Sequence, residues 1–210
     1  MPVDRGSRSA ETAMLIRSDS VLRLGNDPSP DSDSRTTRSA TPTRTESRHN
    51  LSMDSERLFL RHAVATLAYR AAKALRDAPP TFAAFSVAPG SRTPAQIVAH
   101  MGDLLDWALF LARGEQSWRD SMPLPWEQEV QRFFRALEAF DAYLASEHAL
   151  GWSAERLFQG PIADALTYTG QLTMLRRLAG APVRGENYAR AMITAGTVGL
   201  AQGAPAVEFD

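Results

Sequence analysis

The chain has no cysteine among its 210 residues. This absence excludes disulfide bonds, thiolate nucleophiles and zinc sites built on cysteine. The sequence also lacks an apolar run of the roughly 20 residues that a membrane-spanning helix needs, and its first residues show no signal-peptide h-region or cleavage site. We therefore expect a cytoplasmic protein with no membrane partner.

An excess of basic charge is also missing, because the formal net charge is -1. Only one of the 23 basic residues is a lysine, Lys73. The four tryptophans are not accompanied by a basic groove and are typical of core and bundle-end packing, so we expect no nucleic-acid partner. The sequence contains neither a phosphate-binding glycine loop nor a Ser-His-Asp constellation.

Residues 1–52 differ in composition from the rest of the chain. The stretch "GNDPSPDSDSRTTRSATPTRTESRHN" has almost nothing apolar to bury, which predicts a disordered N-terminal tail. The composition changes at Met53. One hypothesis is that translation begins at Met53 and that residues 1–52 are a gene-model extension. An intact-mass measurement on the native protein tests this idea, and a mass equal to that of the full chain would contradict it.

The pattern of residues 53–210 is helical, and no β-alternation of useful length occurs. Four long amphipathic segments follow one another, beginning near Asp54, Pro94, Pro125 and Pro161. The sequence therefore predicts an all-α domain built as a four-helix bundle.

Capping signals define the second helix. Thr93 is a predicted N-cap, Pro94 occupies the first helical position, and Gln96 completes a capping box. Gly114 follows the last helical residue and closes the helix.

Charged residues lie at the ends of the other helices. Glu127 and Glu129 in the first turn after Pro125 suit the helix dipole and are typical of a solvated face. Arg176 and Arg177 near the end of the last long helix are typical of electrostatic caps.

Polar residues interrupt the stripe that the last long helix is expected to turn toward the core. Residues at i, i+4, i+7, i+11 and i+14 share a face of a helix. From Asp164 this stripe reads Asp164, Tyr168, Gln171, Leu175, Leu178. Its first half is polar and its second half is ordinary core.

The second helix shows the same arrangement. Its stripe begins with a histidine and continues as core: His100, Leu104, Trp107, Leu111. Each polar group falls near the N-terminal end of its stripe. If the two helices run parallel, His100, Asp164 and Tyr168 converge at one end of the bundle.

Two interpretations of these three residues stay open. In the first, His100 and Asp164 ligate zinc, nickel or iron, which accept imidazole nitrogen and carboxylate oxygen; a phenolate such as Tyr168 is a rarer ligand, with an ordinary pKa of about 10. In the second, Asp164 caps the first turn, Tyr168 buries its ring with its hydroxyl bonded, and His100 bonds to Asp164.

The segments "QIVAHMGDLLDW" and "ADALTYTGQLTMLRRLAG", followed by "PVRGENYARA", resemble the DinB/YfiT-like superfamily of metalloenzymes. The resemblance covers the domain of residues 53–210 and none of the tail. It implies a four-helix bundle of up-down-down-up type, often a homodimer. It also implies a divalent metal held by three histidines, one from the second helix and two, four residues apart, from the last long helix.

Two of the three ligand positions depart from the family pattern. The second-helix histidine matches His100. The last-helix histidine that precedes x-Gly-Gln falls on Tyr168, ahead of "TGQ", and the histidine four residues earlier falls on Asp164. Asp164 keeps an oxygen ligand, whereas a neutral Tyr168 adds no anionic ligand, so metal affinity should be much reduced.

The resemblance leads to two functional hypotheses. One is a DinB-like domain of uncharacterised activity whose altered site (His100, Asp164, Tyr168) has lost its metal and binds a small molecule or is mainly structural. The alternative is a divalent-metal-dependent, thiol-dependent transferase or isomerase-type enzyme. In that enzyme His100 and Asp164 are ligands, and Tyr168 is a weak third ligand or donates a hydrogen bond to a bound water.

Overall fold

The computed structural model describes the backbone of residues 44–209 and the side chains from residue 55 onward. It is mostly helical, with four long helical segments and very little strand, which confirms the prediction of an all-α chain. The predicted disorder of residues 1–43 lies outside the described residues. Within residues 44–209 no helix has the length and apolar character needed to cross a membrane.

The described elements follow one another with two short 3₁₀ helices and one π-helical segment among them. In chain order they are helix α1 (Arg44–Leu75), a 3₁₀ helix (Pro80–Ala84), α2 (Pro94–Ala112), α3 (Trp126–Ala145), α4 (Ala154–Leu157), a π-helical segment (Phe158–Ile162), α5 (Ala163–Leu178), strand β1 (Gly185–Glu186), a 3₁₀ helix (Tyr188–Arg190) and strand β2 (Glu208–Phe209). The two strands form a single antiparallel pair.

Helix α1 begins ahead of the composition boundary. It starts at Arg44, whereas the composition changes at Met53. The segment 44–52, which composition places in the tail, is therefore helical. The hypothesis of a translation start at Met53 stays a prediction.

The predicted boundaries of α2 are confirmed. The Thr93 hydroxyl accepts a hydrogen bond from the Gln96 backbone N–H at 3.4 Å, and the Gln96 side chain accepts one from the Thr93 N–H at 2.9 Å. Gly114 follows the helix with a φ of 81°, in the left-handed region that glycine adopts without a steric penalty. Local side-chain chemistry therefore determines both ends of this helix.

The predicted start of the last long helix at Pro161 is wrong. The helical backbone begins at Ala154, where the Ser153 hydroxyl accepts a hydrogen bond from Arg156 N–H at 3.4 Å. Pro161 lies inside the π-helical segment, between α4 and α5. A proline lacks the N–H that the α-helical ladder requires, and here the chain widens into a π turn instead of stopping. The helical backbone consequently runs from residue 154 to 178, and Tyr168 lies well inside it.

The core is apolar and receives side chains from each long helix. Its largest fully buried side chains include Leu60, Leu67, Met101, Leu105, Phe133, Leu137, Phe140, Leu157 and Ile162. Burial of one such side chain is worth about 1.5–3 kcal/mol. Packing of these faces, rather than helix propensity alone, therefore holds the helices together.

Charged side chains tie α1 to the ends of two other helices. Arg61 forms a two-pronged ion pair with Asp141 near the end of α3, with both N–O distances at 3.0 Å. Arg176 of α5 is buried and donates to the backbone carbonyls of Ala74, Arg76 and Asp77 at 3.1–3.4 Å. Arg176 therefore caps the end of α1, and it also donates to the Ala181 carbonyl, just beyond the end of its own helix, at 2.7 Å.

Lys73 of α1, the one lysine in the sequence, holds the segment that follows α5. Lys73 Nζ lies 2.8 Å from a Glu186 carboxylate oxygen and 2.7 Å from one of Glu208, so it links both short strands. The Tyr69 hydroxyl donates to the other Glu186 oxygen at 2.7 Å. Glu186 is buried, and these two donors satisfy its charge.

Candidate functional site

His100 of α2 and Tyr168 of α5 are in contact. Their ring centroids are 4.9 Å apart and their planes meet at 78°, an edge-to-face arrangement. Both side chains are half-buried. The structure thus brings together two of the three residues that the sequence placed in one site.

Helices α2 and α5 are not parallel, although the convergence predicted from the sequence required parallel helices. His100 contacts Tyr168, whereas Trp107, later in α2, lies beside Gly160, earlier in the chain; a Cβ built on Gly160 would be 3.8 Å from the Trp107 ring. The helices are antiparallel at this contact. His100 and Tyr168 still meet because the last helical run begins at residue 154, which places Tyr168 opposite His100.

Asp164 lies at the edge of the site. Its side chain is exposed, and it makes no hydrogen bond with His100 in the described part of the chain. Its charge nonetheless acts on the His100 imidazole, favouring the protonated form. The predicted His100–Asp164 hydrogen bond is therefore not formed, and the two residues interact at longer range.

The pKa of His100 is lowered from its ordinary value of 6.5. Burial of the imidazole is the largest cause, followed by the positive charge of Arg92; the carboxylates of Asp164, Asp103 and Asp120 oppose the shift. His100 is consequently neutral at pH 7, with one ring nitrogen able to accept a hydrogen bond and the other able to donate one.

Arg92 is a site residue that sequence reasoning missed. Its Nη1 donates a hydrogen bond to the Tyr168 hydroxyl oxygen at 3.0 Å, and its guanidinium carbon lies 5.6 Å from the centre of the Tyr168 ring. Arg92 directly precedes the N-cap Thr93. The cap signal fixed where α2 begins, but no sequence pattern linked the residue before the cap to a helix 76 positions later.

The stripe that contains Asp164 and Tyr168 borders the core of α5 rather than facing it. Asp164 and Gln171 are exposed, whereas the buried residues of α5 are Ala165, Thr169, Leu172, Leu175 and Arg176. The core face is thus displaced by one position from the predicted stripe. The small residues Ala165 and Thr169 were the available signal, since they permit close helix packing.

A groove of about 400 Å³ opens beside Tyr168. It lies between the segment of residues 87–97 and the second half of α5. Its lining residues are Val87, Ser91, Arg92, Ile97, Tyr168, Gln171, Met174, Leu175 and Leu178. The stripe predicted from Tyr168 to Leu178 therefore lines a concave surface that a small molecule can enter.

Two tryptophans complete the surroundings of His100. The Trp118 ring lies 5.6 Å from the imidazole and 5.9 Å from the Trp107 ring, edge-on to both. Trp118 is 48% exposed. It therefore covers the imidazole from the loop between α2 and α3 and does not belong to the core, whereas the sequence predicted core and bundle-end packing for the tryptophans.

A buried ionic cluster lies behind the site, between α2 and α3. Arg132 bonds Asp103 at 2.9 Å and Glu129 at 2.6 Å, and both carboxylates are almost completely buried. The same carboxylates accept the backbone N–H groups of Ser121 and Leu124 at 2.8 and 2.7 Å. This cluster therefore fixes the loop that carries Trp118. The prediction of a solvated Glu129 is wrong, because Arg132 one turn later compensates its charge.

The donor groups at the site are a poor match for a divalent metal ion. Within the described residues no group of three or more His, Cys, Asp or Glu side chains is placed to hold a metal ion. At the His100 site the third donor is the phenol of Tyr168, whose oxygen accepts a hydrogen bond from a guanidinium. Like charges about 4 Å apart repel by about 4 kcal/mol near a protein surface, so Arg92 opposes a cation bound to Tyr168.

Comparison of the chain with family models, with curated proteins and with solved structures gives no significant match.

Proposed function

We propose that residues 53–210 form a DinB-like domain whose site at His100, Asp164 and Tyr168 binds a small molecule without a resident metal. The proposal combines the sequence resemblance with the way the helices contact one another and with the charge at the site. The hydrogen bond from Arg92 to Tyr168 is the observation that carries it.

Contacts between helix ends support an up-down-down-up arrangement. Phe59 of α1 meets Phe158, and near the other end Ala74 accepts from Arg176, so α1 and α5 run the same way. Arg57 reaches the Ser146 carbonyl at 3.0 Å, whereas Arg61, one turn later in α1, pairs with the earlier residue Asp141. Helices α1 and α3 are therefore antiparallel.

The remaining helix pair is consistent with the same arrangement. Arg132, in the first half of α3, donates to the Ala99 carbonyl in the first half of α2. Gly151, beyond the end of α3, donates to the Ala112 carbonyl at the end of α2 at 2.8 Å. These contacts support a parallel arrangement of α2 and α3, opposite in direction to α1 and α5, which is the order that the DinB resemblance implies.

Chemistry at the site supports binding without a metal. The position of a family histidine is occupied by Tyr168, whose phenol lacks the imidazole nitrogen that ligates the metal in the family pattern. Arg92 places a positive charge against the Tyr168 oxygen. In the family pattern the position of Tyr168 holds a histidine that binds the metal. Neutral His100 and the guanidinium together form a surface suited to a polar or anionic ligand.

The metal-dependent, thiol-dependent transferase or isomerase is the second candidate. One observation favours it: the carboxylate of Asp164 acts on the His100 imidazole, and carboxylate together with imidazole is an ordinary ligand set. A bound divalent metal would supply a Lewis acid that activates water or a thiol. His100 and Asp164 would hold it.

Elemental analysis of protein purified without a metal-chelating tag separates the two candidates. We expect the wild type to contain substoichiometric zinc, nickel and iron. We expect Tyr168→His, combined with Arg92→Gln, to gain metal, because the substitutions add an imidazole ligand and remove the repelling charge. Stoichiometric metal in the wild type that is lost in His100→Ala would overturn the proposal and support the enzyme.

The control is Arg92→Gln alone, which removes the charge without adding a ligand. It should stay free of metal if the ligand set is the limiting factor. Absence of metal from the double variant as well would contradict the placement of the family's ligand positions on His100, Asp164 and Tyr168.

A further inference from the structure

The groove beside Tyr168 has the size of a small-ligand site. Its volume of about 400 Å³ falls within the range of about 300–1,000 Å³ that such sites occupy. It adjoins the His100–Tyr168 contact, since Tyr168 belongs to both. A ligand in the groove would therefore reach the residues of the proposed site.

Most of the lining is apolar, and much of it is exposed. Val87, Met174 and Leu178 are 51%, 54% and 57% exposed. Apolar side chains that cluster on a concave surface are typical of a place where a ligand is bound. They favour a ligand with an apolar body.

One charged residue, Arg92, lies among the lining residues. A guanidinium has five N–H donors, and Arg92 uses one of them on Tyr168. In the described part of the chain Arg92 has no ion pair with a carboxylate and no second hydrogen bond. Its charge and its remaining donors therefore have no anionic partner among the described residues.

We propose that the groove binds a small organic acid, a carboxylate carried on an apolar chain or ring. Arg92 would hold the carboxylate through two parallel N–H bonds, the geometry that guanidinium and carboxylate prefer. The Tyr168 hydroxyl accepts from Arg92 and keeps its own proton to donate to the same carboxylate. The apolar body would lie along Ile97, Met174 and Leu178.

The charge pattern favours a small acid over a larger anionic surface. A membrane or a nucleic acid requires several basic side chains acting together, whereas this groove offers Arg92 alone. The chain also carries a formal net charge of -1. The proposal rests on the proposed function, because it names the ligand class of a site that has no resident metal.

Isothermal titration calorimetry of the full chain with octanoate, octanamide and acetate tests the ligand class. Octanamide has the apolar body without the charge, and acetate has the charge without the body. We expect octanoate to bind and each comparison compound to bind at least about tenfold more weakly, since a hydrogen bond to a charged group and a buried apolar chain each contribute that much or more.

Three variants locate the binding. Arg92→Gln should weaken octanoate binding by about tenfold or more and weaken octanamide binding by less, because octanamide carries no charge. Met174→Glu should weaken both, because it places a carboxylate among the apolar lining residues. Arg177→Gln is the matched control: Arg177 is an exposed arginine of α5 outside the groove, and its loss should change neither affinity. Far-UV circular dichroism confirms that each variant is folded.

Several results would overturn the proposal. Equal binding of octanoate and octanamide, or wild-type octanoate affinity in Arg92→Gln, would show that Arg92 does not select an anion. Co-sedimentation with phosphatidylglycerol vesicles without octanoate binding would point to a lipid surface instead. A dimer by light scattering that neither binds octanoate nor is dissociated by it would point to a second copy of the chain.

A chelator separates failure of this inference from failure of the proposed function. Octanoate binding that is lost in EDTA and kept in Arg92→Gln would mean that a metal holds the carboxylate, so both proposals would fall. Failure of octanoate to bind, with no metal in the protein and no effect of EDTA, would overturn the ligand class alone.

Discussion

The guanidinium of Arg92 donates a hydrogen bond to the phenol oxygen of Tyr168 across 3.0 Å, and the ring of the same Tyr168 meets the imidazole of His100 edge-on. Through this contact a residue that precedes α2 determines the charge at the centre of α5. The positive charge of Arg92 lowers the pKa of His100 in addition to the effect of burial. Arg92 is thus connected to both halves of the site.

We expect Arg92→Gln to raise the pKa of His100 toward its ordinary value of 6.5. Burial would still hold the pKa below that value, because it is the larger cause. The folded state binds a proton to His100 less readily than the unfolded state, so the contribution of His100 to stability is complete above about pH 6.5 and is lost as the pH falls below it. An NMR titration of the imidazole protons measures the change.

Arg177→Gln serves as the control for this titration, since Arg177 is exposed and is not among the groups that act on His100. An unchanged His100 pKa in Arg92→Gln would show that the guanidinium does not lie beside Tyr168 in solution.

We expect Arg132→Met to lower the free energy of unfolding by about 3–5 kcal/mol, the usual cost of removing one partner of a buried ion pair. The substitution leaves the carboxylates of Asp103 and Glu129 buried without a counter-charge. Urea denaturation at pH 7 measures the loss. Arg135→Met, an exposed position on the same helix, should change the free energy by less than about 0.5 kcal/mol.

The Arg132 substitution should also release the loop that carries Trp118. Asp103 and Glu129 would be drawn toward solvent and would leave the backbone N–H groups of Ser121 and Leu124. Trp fluorescence should therefore shift to the red before the global unfolding transition. A single transition with an unchanged emission maximum would be evidence against this coupling.

We expect Arg176→Met to destabilise the fold by about 1–3 kcal/mol, because it removes hydrogen bonds to buried backbone carbonyls at the end of α1. Burial lowers the pKa of Arg176, which nevertheless stays charged at all ordinary pH values. The adjacent Arg177 is exposed, so Arg177→Met should have little effect on thermal unfolding. Equal losses in the two variants would contradict the assignment of Arg176 as the cap.

We expect Tyr69 to ionise late in an alkaline titration. Burial, and then the hydrogen bond to Glu186, raise the pKa of Tyr69 from 10.0 to about 12. The folded state keeps this proton longer than the unfolded state, so stability is complete below about pH 10 and is lost as the pH rises toward 12. Absorbance at 295 nm follows the ionisation, and Tyr69→Phe should abolish the latest step.

Tyr69→Phe should also cost about 1–3 kcal/mol at pH 7, because Glu186 is buried and loses one of its donors. Lys73 remains as its counter-charge. Tyr188→Phe is the comparison, since the Tyr188 ring packs edge-on against Tyr69 but does not bond Glu186. A loss in Tyr188→Phe as large as that in Tyr69→Phe would show that the effect is not specific to the hydrogen bond on Glu186.

The sequence predicted those parts of the fold that depend on neighbouring residues. The box formed by Thr93 and Gln96 and the left-handed turn at Gly114 involve groups a few positions apart, and both are found as predicted. The start of the last helix could not be predicted in this way. Pro161 is an ordinary helix-start signal, yet in the structure it lies within a π turn that joins α4 to α5.

Charge patterns near helix ends were the least predictable feature. Glu129 and Arg176 have the sequence setting of surface residues, yet both are buried. Arg176 is buried because it bonds the carbonyls that end α1, about 100 positions earlier in the chain. Glu129 has local partners, Arg132 and the Leu124 N–H, but the same Arg132 also pairs with Asp103 of α2. Periodicity alone cannot separate a solvated charge from a charge that is buried and paired.

What the sequence determined by itself is the all-α class and the positions of His100 and Tyr168 on their helices. Apolar periodicity and capping chemistry are local, and they lead to four long helices whatever their partners are. The stripe positions of His100 and Tyr168 are of this local kind, and the two residues do meet.

The tertiary structure decided the direction of that meeting and the charge around it. Helices α2 and α5 are antiparallel at the site, the core face of α5 is displaced from the predicted stripe, and Arg92 lies against Tyr168. The physical reason is that electrostatic and packing partners far apart in sequence act only when the fold brings them within a few ångströms. Arg92 and Tyr168 are separated by 76 positions along the chain, and their 3.0 Å contact determines which ligands the site favours.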